Sequence, residues 1–361
     1  MRLDDRARRA ADAIHRAVQA GDPLASNDAL ERLHRFRARK QRNQRIGVGL
    51  LVAALTVGAI VFLGRVFLPL ERQTPAAPKT PGGLILYGDW DSAEHLANWF
   101  TVRTDGSQVR DLHRAATCAV WFPDGSKILI TNDGAVGGGT PLRPAVLDPD
   151  GSNLRPLDAA RNPDLNLGCG DVSPDGARIA LEGFGQNGHP ELNGIYSVRA
   201  SDGGGLIRLL RGPVSPPRYS PDGTRLSFFE TKQGVSPTGS GALFVMGADG
   251  SDPARITPWG FAFEDHAWSP DGDWILFQRP YGQLYLVHPD GSGLHQVPLQ
   301  LPPGTGALNP SWSPDGTWIV FSLHRSETAE IYVVRADGSG LRKVTAAPGA
   351  EEQTPDWAAP R

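Results

Sequence analysis

The chain has little cysteine and lacks the short motifs that mark several enzyme classes. Its 361 residues include two cysteines, too few for a multi-cysteine zinc site. No serine stands in a Gly-x-Ser-x-Gly motif, and neither a phosphate-binding P-loop nor a His-Glu-x-x-His motif occurs. We therefore expect a protein that is not an enzyme, with no cofactor and no bound metal.

Charge is absent from residues 46 to 64, which read IGVGLLVAALTVGAIVFLG. These nineteen residues would nearly match, as a helix, the hydrocarbon core of a bilayer, about 30 Å thick. A secretory signal peptide is the alternative, but its apolar core is usually shorter and no A-x-A cleavage site follows here. The stretch therefore predicts a transmembrane helix over residues 46–68.

The charges on either side of this helix predict its orientation. Residues 1–45 hold twelve Lys and Arg against six Asp and Glu, and the positive-inside rule puts them in the cytoplasm. Residues 1–45, called the basic head below, show weak helical periodicity. They predict either a solvated helix that sets topology or a helix pair that binds a cytoplasmic protein. Residues 69–83 carry several prolines and predict a linker. The rest, residues 84–361, is expected outside a bacterial cell membrane, with no nucleic-acid partner.

A Pro-Asp-Gly turn recurs along this outer part. Its aspartates are spaced by 44 to 51 residues, a period typical of propellers and other repeat arrays. Proline presets the turn, aspartate bonds nearby amides and glycine accepts positive φ, so we interpret these aspartates as structural rather than as calcium ligands. They are Asp124, Asp175, Asp222, Asp271 and Asp315.

A second Asp-Gly series alternates with the first and completes each repeat. Its aspartates are Asp105, Asp150, Asp202, Asp249, Asp290 and Asp337, and each follows an apolar strand. With a short outer strand after each, the units predict an all-β, six-bladed β-propeller of four-stranded blades. The chain begins with a second strand, GLILYG, and ends with a first strand, TPDWAAP. The C-terminal strand should therefore complete the N-terminal blade.

The repeats carry a family resemblance over roughly residues 84 to 359. The stretches SWSPDGTWIVF, IYVVRADGSGLRKVT and AWSPDGDWILF are similar to the repeats of TolB-type propellers, which are related to WD-repeats. The resemblance implies a six-bladed ring that binds proteins or peptides at one face or in its channel.

The two cysteines occupy equivalent places in neighbouring repeats. Cys118 and Cys169 each stand six residues before a turn aspartate. Equivalent points on adjacent blades of a sixfold ring are separated by their radius, which at roughly 6 to 8 Å for an inner strand is borderline for a disulfide. An extracytoplasmic location would favour oxidation. We predict a disulfide, with two buried thiols as the alternative.

A partner site is predicted at the channel mouth, where the first strand of each blade begins. Several of the residues four to seven positions before each turn aspartate, or before the equivalent position in the last repeat, are polar and vary between repeats, although packing alone would not require polarity there. Loops on a rigid scaffold commonly carry binding residues. The predicted residues are Asp171, Arg218, Glu264, Asp265, His266, Asn309, Gln353 and Asp356.

These features favour a membrane-anchored protein- or peptide-binding scaffold of the cell envelope. The alternative is an anti-sigma-like transmembrane regulator, with the propeller as outer sensor and residues 1–45 bound to a cytoplasmic protein. A third class, an enzyme acting on an extracellular polymer, is disfavoured because no converging set of carboxylates or histidines is visible.

Overall fold

The computed structural model describes the C-terminal part of the chain in several stretches. These are residues 81–91, 96–131, 143–157, 162–186, 188–231, 241–261, 263–279, 282–326, 328–345 and 350–359. The predicted head, the predicted membrane segment and the linker up to residue 80 lie outside them. Among the described residues, no helix has the length and apolar character needed to cross a membrane.

The described residues form six antiparallel sheets of four strands, together with one short 3-10 helix at Pro190–Leu192. Blades 1 to 3 are, from the inner strand outward, β24 (Glu352–Ala358), β1 (Leu84–Asp91), β2 (Leu96–Arg103) and β3 (Arg110–Ala116); β4 (Cys118–Trp121), β5 (Ile128–Thr131), β6 (Pro144–Leu147) and β7 (Arg155–Pro156); and β8 (Leu165–Val172), β9 (Arg178–Gly185), β10 (Gly194–Arg199) and β11 (Ile207–Arg211).

Blades 4 to 6 have the same order. They are β12 (Arg218–Tyr219), β13 (Arg225–Thr231), β14 (Gly241–Gly247) and β15 (Ala254–Arg255); β16 (Phe263–Trp268), β17 (Ile275–Arg279), β18 (Gln283–Val287) and β19 (His295–Gln296); and β20 (Gly306–Trp312), β21 (Trp318–Arg325), β22 (Thr328–Arg335) and β23 (Arg342–Lys343). The prediction of a six-bladed propeller with four-stranded blades is confirmed.

The ring closes by joining the two ends of the propeller in blade 1. Strand β24 pairs with β1, so that Leu84 lies opposite Ala358 and Ile85 lies opposite Trp357. The inner strands contact one another in the order β24, β4, β8, β12, β16 and β20, and β20 contacts β24. The closing strand thereby covers the edge that β1 would otherwise expose.

The Ser-Pro-Asp-Gly turns are closed by the serine hydroxyl. In blade 4, Ser220 Oγ donates to Asp222 Oδ1 at 2.6 Å and accepts from the N–H of Arg225 at 3.0 Å. Gly223 has a φ of +71° and its N–H donates to the carbonyl oxygen of Ser220. The hydrogen bond from Ser220 lowers the pKa of Asp222 to about 2. Three further turns repeat this arrangement, at Ser173, Ser269 and Ser313.

The glycines of the second Asp-Gly series are explained by close contact between blades. A Cβ added to Gly151 of blade 2 would lie 2.2 Å from the carbonyl oxygen of Leu112 in blade 1. The six glycines of this series have φ between +76° and +91°, and each faces backbone of the preceding blade within 3.1 Å of an added Cβ. They are Gly106, Gly151, Gly203, Gly250, Gly291 and Gly338. Both Asp-Gly series lie on one face, which we call the turn face.

Apolar side chains fill the space between neighbouring blades. Phe228, Phe277 and Phe321 occupy equivalent places on the second strands and are fully buried. Burying large aromatic side chains contributes a major part of the stability of such a fold. The opposite face of the ring, where the inner strands begin, is called the mouth face below.

Candidate functional site

The predicted partner residues all lie on inner strands, and the structure assigns several of them contacts between blades. Asp171 is on β8, Arg218 on β12 and Asn309 on β20. The others lie on β16 and β24: Glu264, Asp265, His266, Gln353 and Asp356. The described side chains of this set are half-buried except that of His266.

Two carboxylates connect an inner strand to the next blade. Asp171 Oδ2 accepts from the backbone N–H of Tyr219 in blade 4 at 2.8 Å. Asp356 Oδ2 accepts from the N–H of Trp121 in blade 2 at 2.8 Å, and its Oδ1 accepts from Ser311 Oγ in blade 6 at 3.2 Å. Both side chains therefore satisfy backbone groups at the centre of the ring, where an unpaired N–H would be costly.

Arg218 supplies positive charge close to Asp171. Its Nη1 donates to the carbonyl oxygen of Gly170 in blade 3 at 3.3 Å. Burial raises the pKa of Asp171, while the Arg218 charge acts in the opposite direction and Asp356 adds to the rise. Charges of both signs thus line the centre of the ring within one blade of each other.

Asp265 and Asn309 form a pair across blades 5 and 6. Asn309 Nδ2 donates to Asp265 Oδ2 at 2.5 Å, and the backbone N–H of Asn309 donates to Gln278 Oε1 at 2.6 Å. Asn309 has a φ of +52°, and the pairing between β20 and β21 shifts register between Leu308 and Ser311. The bulge thereby places the Asn309 amide next to the neighbouring blade.

The structure does not present His266 at the channel mouth. Its side chain is 2% exposed and its ring packs edge-on against that of Phe229, with centroids 4.9 Å apart. Phe229 lies on β13 of the preceding blade, a contact that local sequence does not reveal, and the imidazole is not exposed at the mouth face. Gln353 is half-buried and pairs with Gly88. The side chain of Glu264 lies outside the described part.

The two cysteines are joined in a disulfide between blades 2 and 3. The Cα atoms of Cys118 and Cys169 are 6.0 Å apart. Both residues stand three positions before the Trp121 or Val172 position of their strands, as Asp265 and Asn309 do before Trp268 and Trp312. Equivalent ring positions are thus joined by a covalent bond on one side and by a hydrogen bond on the other.

These inner-ring residues can donate and accept hydrogen bonds and offer both signs of charge. Within the described stretches, no group of three or more His, Cys, Asp or Glu residues is arranged to hold a metal ion.

A cavity of about 810 Å³ lies elsewhere, on the turn face between blades 1 and 2. Leu84, Val109, Asp148 and Asp150 contribute to its lining, whereas none of the predicted partner residues does. The carboxylates there are engaged in turns, since Asp150 accepts from Ser152 and Asp148 pairs with Lys127. Size alone therefore does not make this cavity the binding site.

One group at the mouth face was missed by sequence reasoning. Arg279 ends β17, and its guanidinium carbon lies 4.1 Å from the ring centre of Phe261 and 5.6 Å from that of Tyr285. The residue lies at a strand end in the stretch FQRPYGQLY. An arginine directly before a proline, between aromatic residues, is the signal that could have drawn attention to it.

The fold is similar to that of TolB. No protein-family profile matches the chain. The structure resembles TolB from Acinetobacter baumannii with a TM-score of 0.59 and 18% identity, over 77% of this chain and 67% of that chain. At this identity the similarity concerns the fold, and the chain is a TolB-like six-bladed β-propeller.

Two other similar proteins are named as peptidases. A stretch of 115 residues is 27% identical to the uncharacterized peptidase YuxL of Bacillus subtilis, and covers 31% of this chain and 17% of YuxL. The tricorn protease is similar in structure, with a TM-score of 0.52 and 16% identity over 74% of this chain and 27% of that chain. The chain thus spans a small part of the length of both.

These similarities correct the expectation that the protein is not an enzyme. That expectation rested on missing motifs, but parts of this chain are similar in sequence or in fold to parts of longer proteins that are named as peptidases. The absence of a catalytic motif from propeller repeats therefore does not exclude an enzymatic role. Because one fold hosts many functions, the activities of the similar proteins are not transferred to this chain.

Proposed function

We propose that the chain is a protein- or peptide-binding module of the bacterial cell envelope, which receives its partner at the mouth face of the propeller. The observation that carries this proposal is the difference between the two faces. The turn face repeats the same residues in the same hydrogen bonds, whereas the mouth face carries connections and polar residues that differ from blade to blade.

The connections that enter the inner strands illustrate this variation. One residue, Thr117, precedes β4, whereas six residues, 212–217, precede β12 and nine, 297–305, precede β20. Variable loops on a rigid scaffold are a common place for binding residues. The half-buried Asp265, Asn309 and Arg218 offer acceptors and donors beside these loops, which suits the backbone of an extended peptide.

Anchoring in the membrane is part of the proposal and rests on sequence. The uncharged residues 46–64 follow a basic segment, which supports a single span with residues 1–45 in the cytoplasm. Protease added to intact cells should remove the propeller and leave the basic head. Protection of the propeller, with loss of the head, would reverse this topology.

Partner capture with crosslinkers applied from each side of the membrane tests the binding function. The double variant Asp265→Ala/Asn309→Ala removes both members of a pair, so that neither is left without its partner. We expect it to abolish capture at the outer side. Ile207→Ser, an exposed position next to a turn of the turn face, is the control and should leave capture unchanged.

Two outcomes would redirect the proposal. Capture at the wild-type level by the double variant, with both proteins folded, would place the partner elsewhere on the ring. Recovery of a protein on the cytoplasmic side alone would favour the regulator, for which the net positive charge of residues 1–45 is the supporting observation.

A further inference from the structure

Arg279 is a half-buried cation at the mouth face whose contacts are with aromatic rings. Gln278, its neighbour, pairs with Phe263, the first residue of inner strand β16. Phe261 and Tyr285 meet edge to face with ring centroids 5.2 Å apart, and the Arg279 guanidinium lies over both. Among the described residues, its buried Nε has no hydrogen-bond partner.

Other arginines also stack on aromatic rings, and one of them, Arg208, has a polar partner. Arg225 lies 4.9 Å from the ring centre of Trp268, at the turn face. Arg208 lies over Tyr196 and donates to the carbonyl oxygen of Glu191 at 2.7 Å. Arg279 differs from Arg208 in that its buried Nε has no acceptor among the described residues.

Stacking on the rings does not satisfy the N–H groups of Arg279. A ring contact uses the flat face of the guanidinium, whereas its N–H groups point outward in the plane. An unpaired buried donor costs free energy, and a charged donor costs more. A planar acceptor with two oxygens fits the edge of a guanidinium, and the half-buried side chain of Arg279 keeps part of its surface toward solvent.

We propose that Arg279, Phe261 and Tyr285 form a carboxylate-binding subsite for a peptide partner. The Arg279 edge binds the carboxylate, and the aromatic rings contact an apolar side chain next to it. The proposal rests on the peptide-binding function proposed above and adds the chemistry of the partner. The carboxylate could be a C-terminus or an acidic side chain, and these two sources give the same contact.

The binding test uses NMR of the full-length protein labelled with nitrogen-15. The Nε–H signal of Arg279 is identified as the one that is missing from the variant Arg279→Lys. The first probe is acetate, which should shift this signal. The next probes are the acetylated peptides Ala-Ala-Phe with a free C-terminus, the same peptide as an amide, and Ala-Glu-Phe as an amide. We expect an acidic form to bind about tenfold more tightly than the neutral amide, since hydrogen bonds to charged groups are the stronger ones.

Variants separate this subsite from general attraction of anions. Arg279→Gln should remove the preference for the acidic peptides, and Arg279→Lys should lose most of it because lysine lacks the planar fork. Arg225→Gln is the matched control, because Arg225 also stacks on an aromatic ring but lies on the turn face, and it should keep the preference. The better of the two acidic peptides identifies the source of the carboxylate.

Two results would overturn the inference. One is an Arg279 signal that neither acetate nor an acidic peptide moves, and the other is an Arg279→Gln protein that still prefers acidic peptides. Partner capture is scored in the same variant. Capture that survives Arg279→Gln removes Arg279 from the partner site, while the binding function stands or falls separately with Asp265→Ala/Asn309→Ala.

Discussion

The two faces of the propeller differ in what their glycines touch. On the turn face, Gly151 and its equivalents lie against the backbone of the preceding blade. On the mouth face, Gly188 and Gly304 also have positive φ, yet an added Cβ would have no atom within 4 Å. The second turn of every blade is therefore constrained by contact with the preceding blade, whereas contacts at the mouth face vary, since a Cβ added to Gly282 there would lie 2.2 Å from Gly306 Cα of blade 6.

The pKa values of carboxylates in the two regions are also shifted in opposite directions. On the turn face, the hydroxyl of Ser220 lowers the pKa of Asp222. In the inner ring, burial raises the pKa of Asp171 and of Glu352. The turn face is stabilised by charged aspartates, while the inner strands hold acids whose charged form is disfavoured by burial.

The largest expected effect comes from breaking the covalent link of the inner ring. The variant Cys118→Ser/Cys169→Ser opens a loop with a sequence separation of 51 residues. We expect the free energy of unfolding to fall by about 4 kcal/mol, because the unfolded chain gains freedom. Denaturant unfolding measures this, and reduced wild-type protein should match the variant. Two free thiols in denatured, unreduced wild-type protein would contradict the bridge.

The glycine comparison predicts the next largest effect. Gly151→Ala combines positive φ with a Cβ that meets the carbonyl oxygen of Leu112, and should cost about 3 kcal/mol. Gly304→Ala, which has the same backbone strain without the contact, should cost about 1 kcal/mol. Thermal unfolding of the two variants tests this difference. Equal losses would show that backbone strain alone explains the turn-face glycines.

Removing one serine hydroxyl should have a smaller, pH-dependent effect. Ser220→Ala deletes the bonds to Asp222 and Arg225 and should cost about 1 to 2 kcal/mol at neutral pH. Because the pKa of Asp222 is about 2 in the folded state, its stabilisation is present above the unfolded pKa and is lost as pH falls. Unfolding measured down to low pH should therefore show a shallower acid loss in the variant.

The control for this turn lies on the mouth face. Thr305 Oγ1 donates to the carbonyl oxygen of Pro302 at an exposed loop. Thr305→Ala should change the free energy of unfolding by less than about 0.5 kcal/mol at every pH. A loss as large as that of Ser220→Ala would mean that hydroxyl bonds on the two faces contribute equally.

The contribution of Glu352 to stability should depend on pH in the opposite way, and at neutral pH this contribution should be the smallest of those considered. Its carboxylate on the closing strand is 2% exposed and accepts from Thr345 Oγ1 and from the N–H of Ile331. Burial raises its pKa above the ordinary value of 4.5, so its contribution is present at low pH and is lost as pH rises through the folded pKa.

The variant Glu352→Gln removes this titration. Its stability relative to the wild type should therefore rise with increasing pH above the ordinary value of 4.5. Denaturant unfolding at a series of pH values measures the difference. A relative stability that falls with rising pH would show that the charged form of Glu352 is favoured in the folded ring.

The sequence predicted the features that depend on local patterns. Turns, strand order and closure by the C-terminal strand follow from Pro-Asp-Gly spacing and from Trp357 standing where Trp312 stands in its repeat. The pairing of Cys118 with Cys169 could also be predicted from the sequence, because equivalent positions in neighbouring repeats are neighbours in space.

The roles of the inner-ring residues could not be predicted, because their partners are distant along the chain. Asp171 accepts from Tyr219, 48 residues away, and Asp356 accepts from Trp121, 235 residues away. A polar residue at a strand start gives no sign of whether it will meet backbone, a side chain or solvent. His266 illustrates this, since its burial depends on Phe229 of the preceding blade.

The closing strand has a consequence for how the ring can be held. Leu84 and Ala358 are paired, and the indole N–H of Trp357 donates to the carbonyl oxygen of Gly82 at 3.4 Å. Both ends of the propeller therefore leave side by side at the turn face. A tether attached to either end would therefore join the ring at the turn face, opposite the mouth face at which we propose that the partner binds.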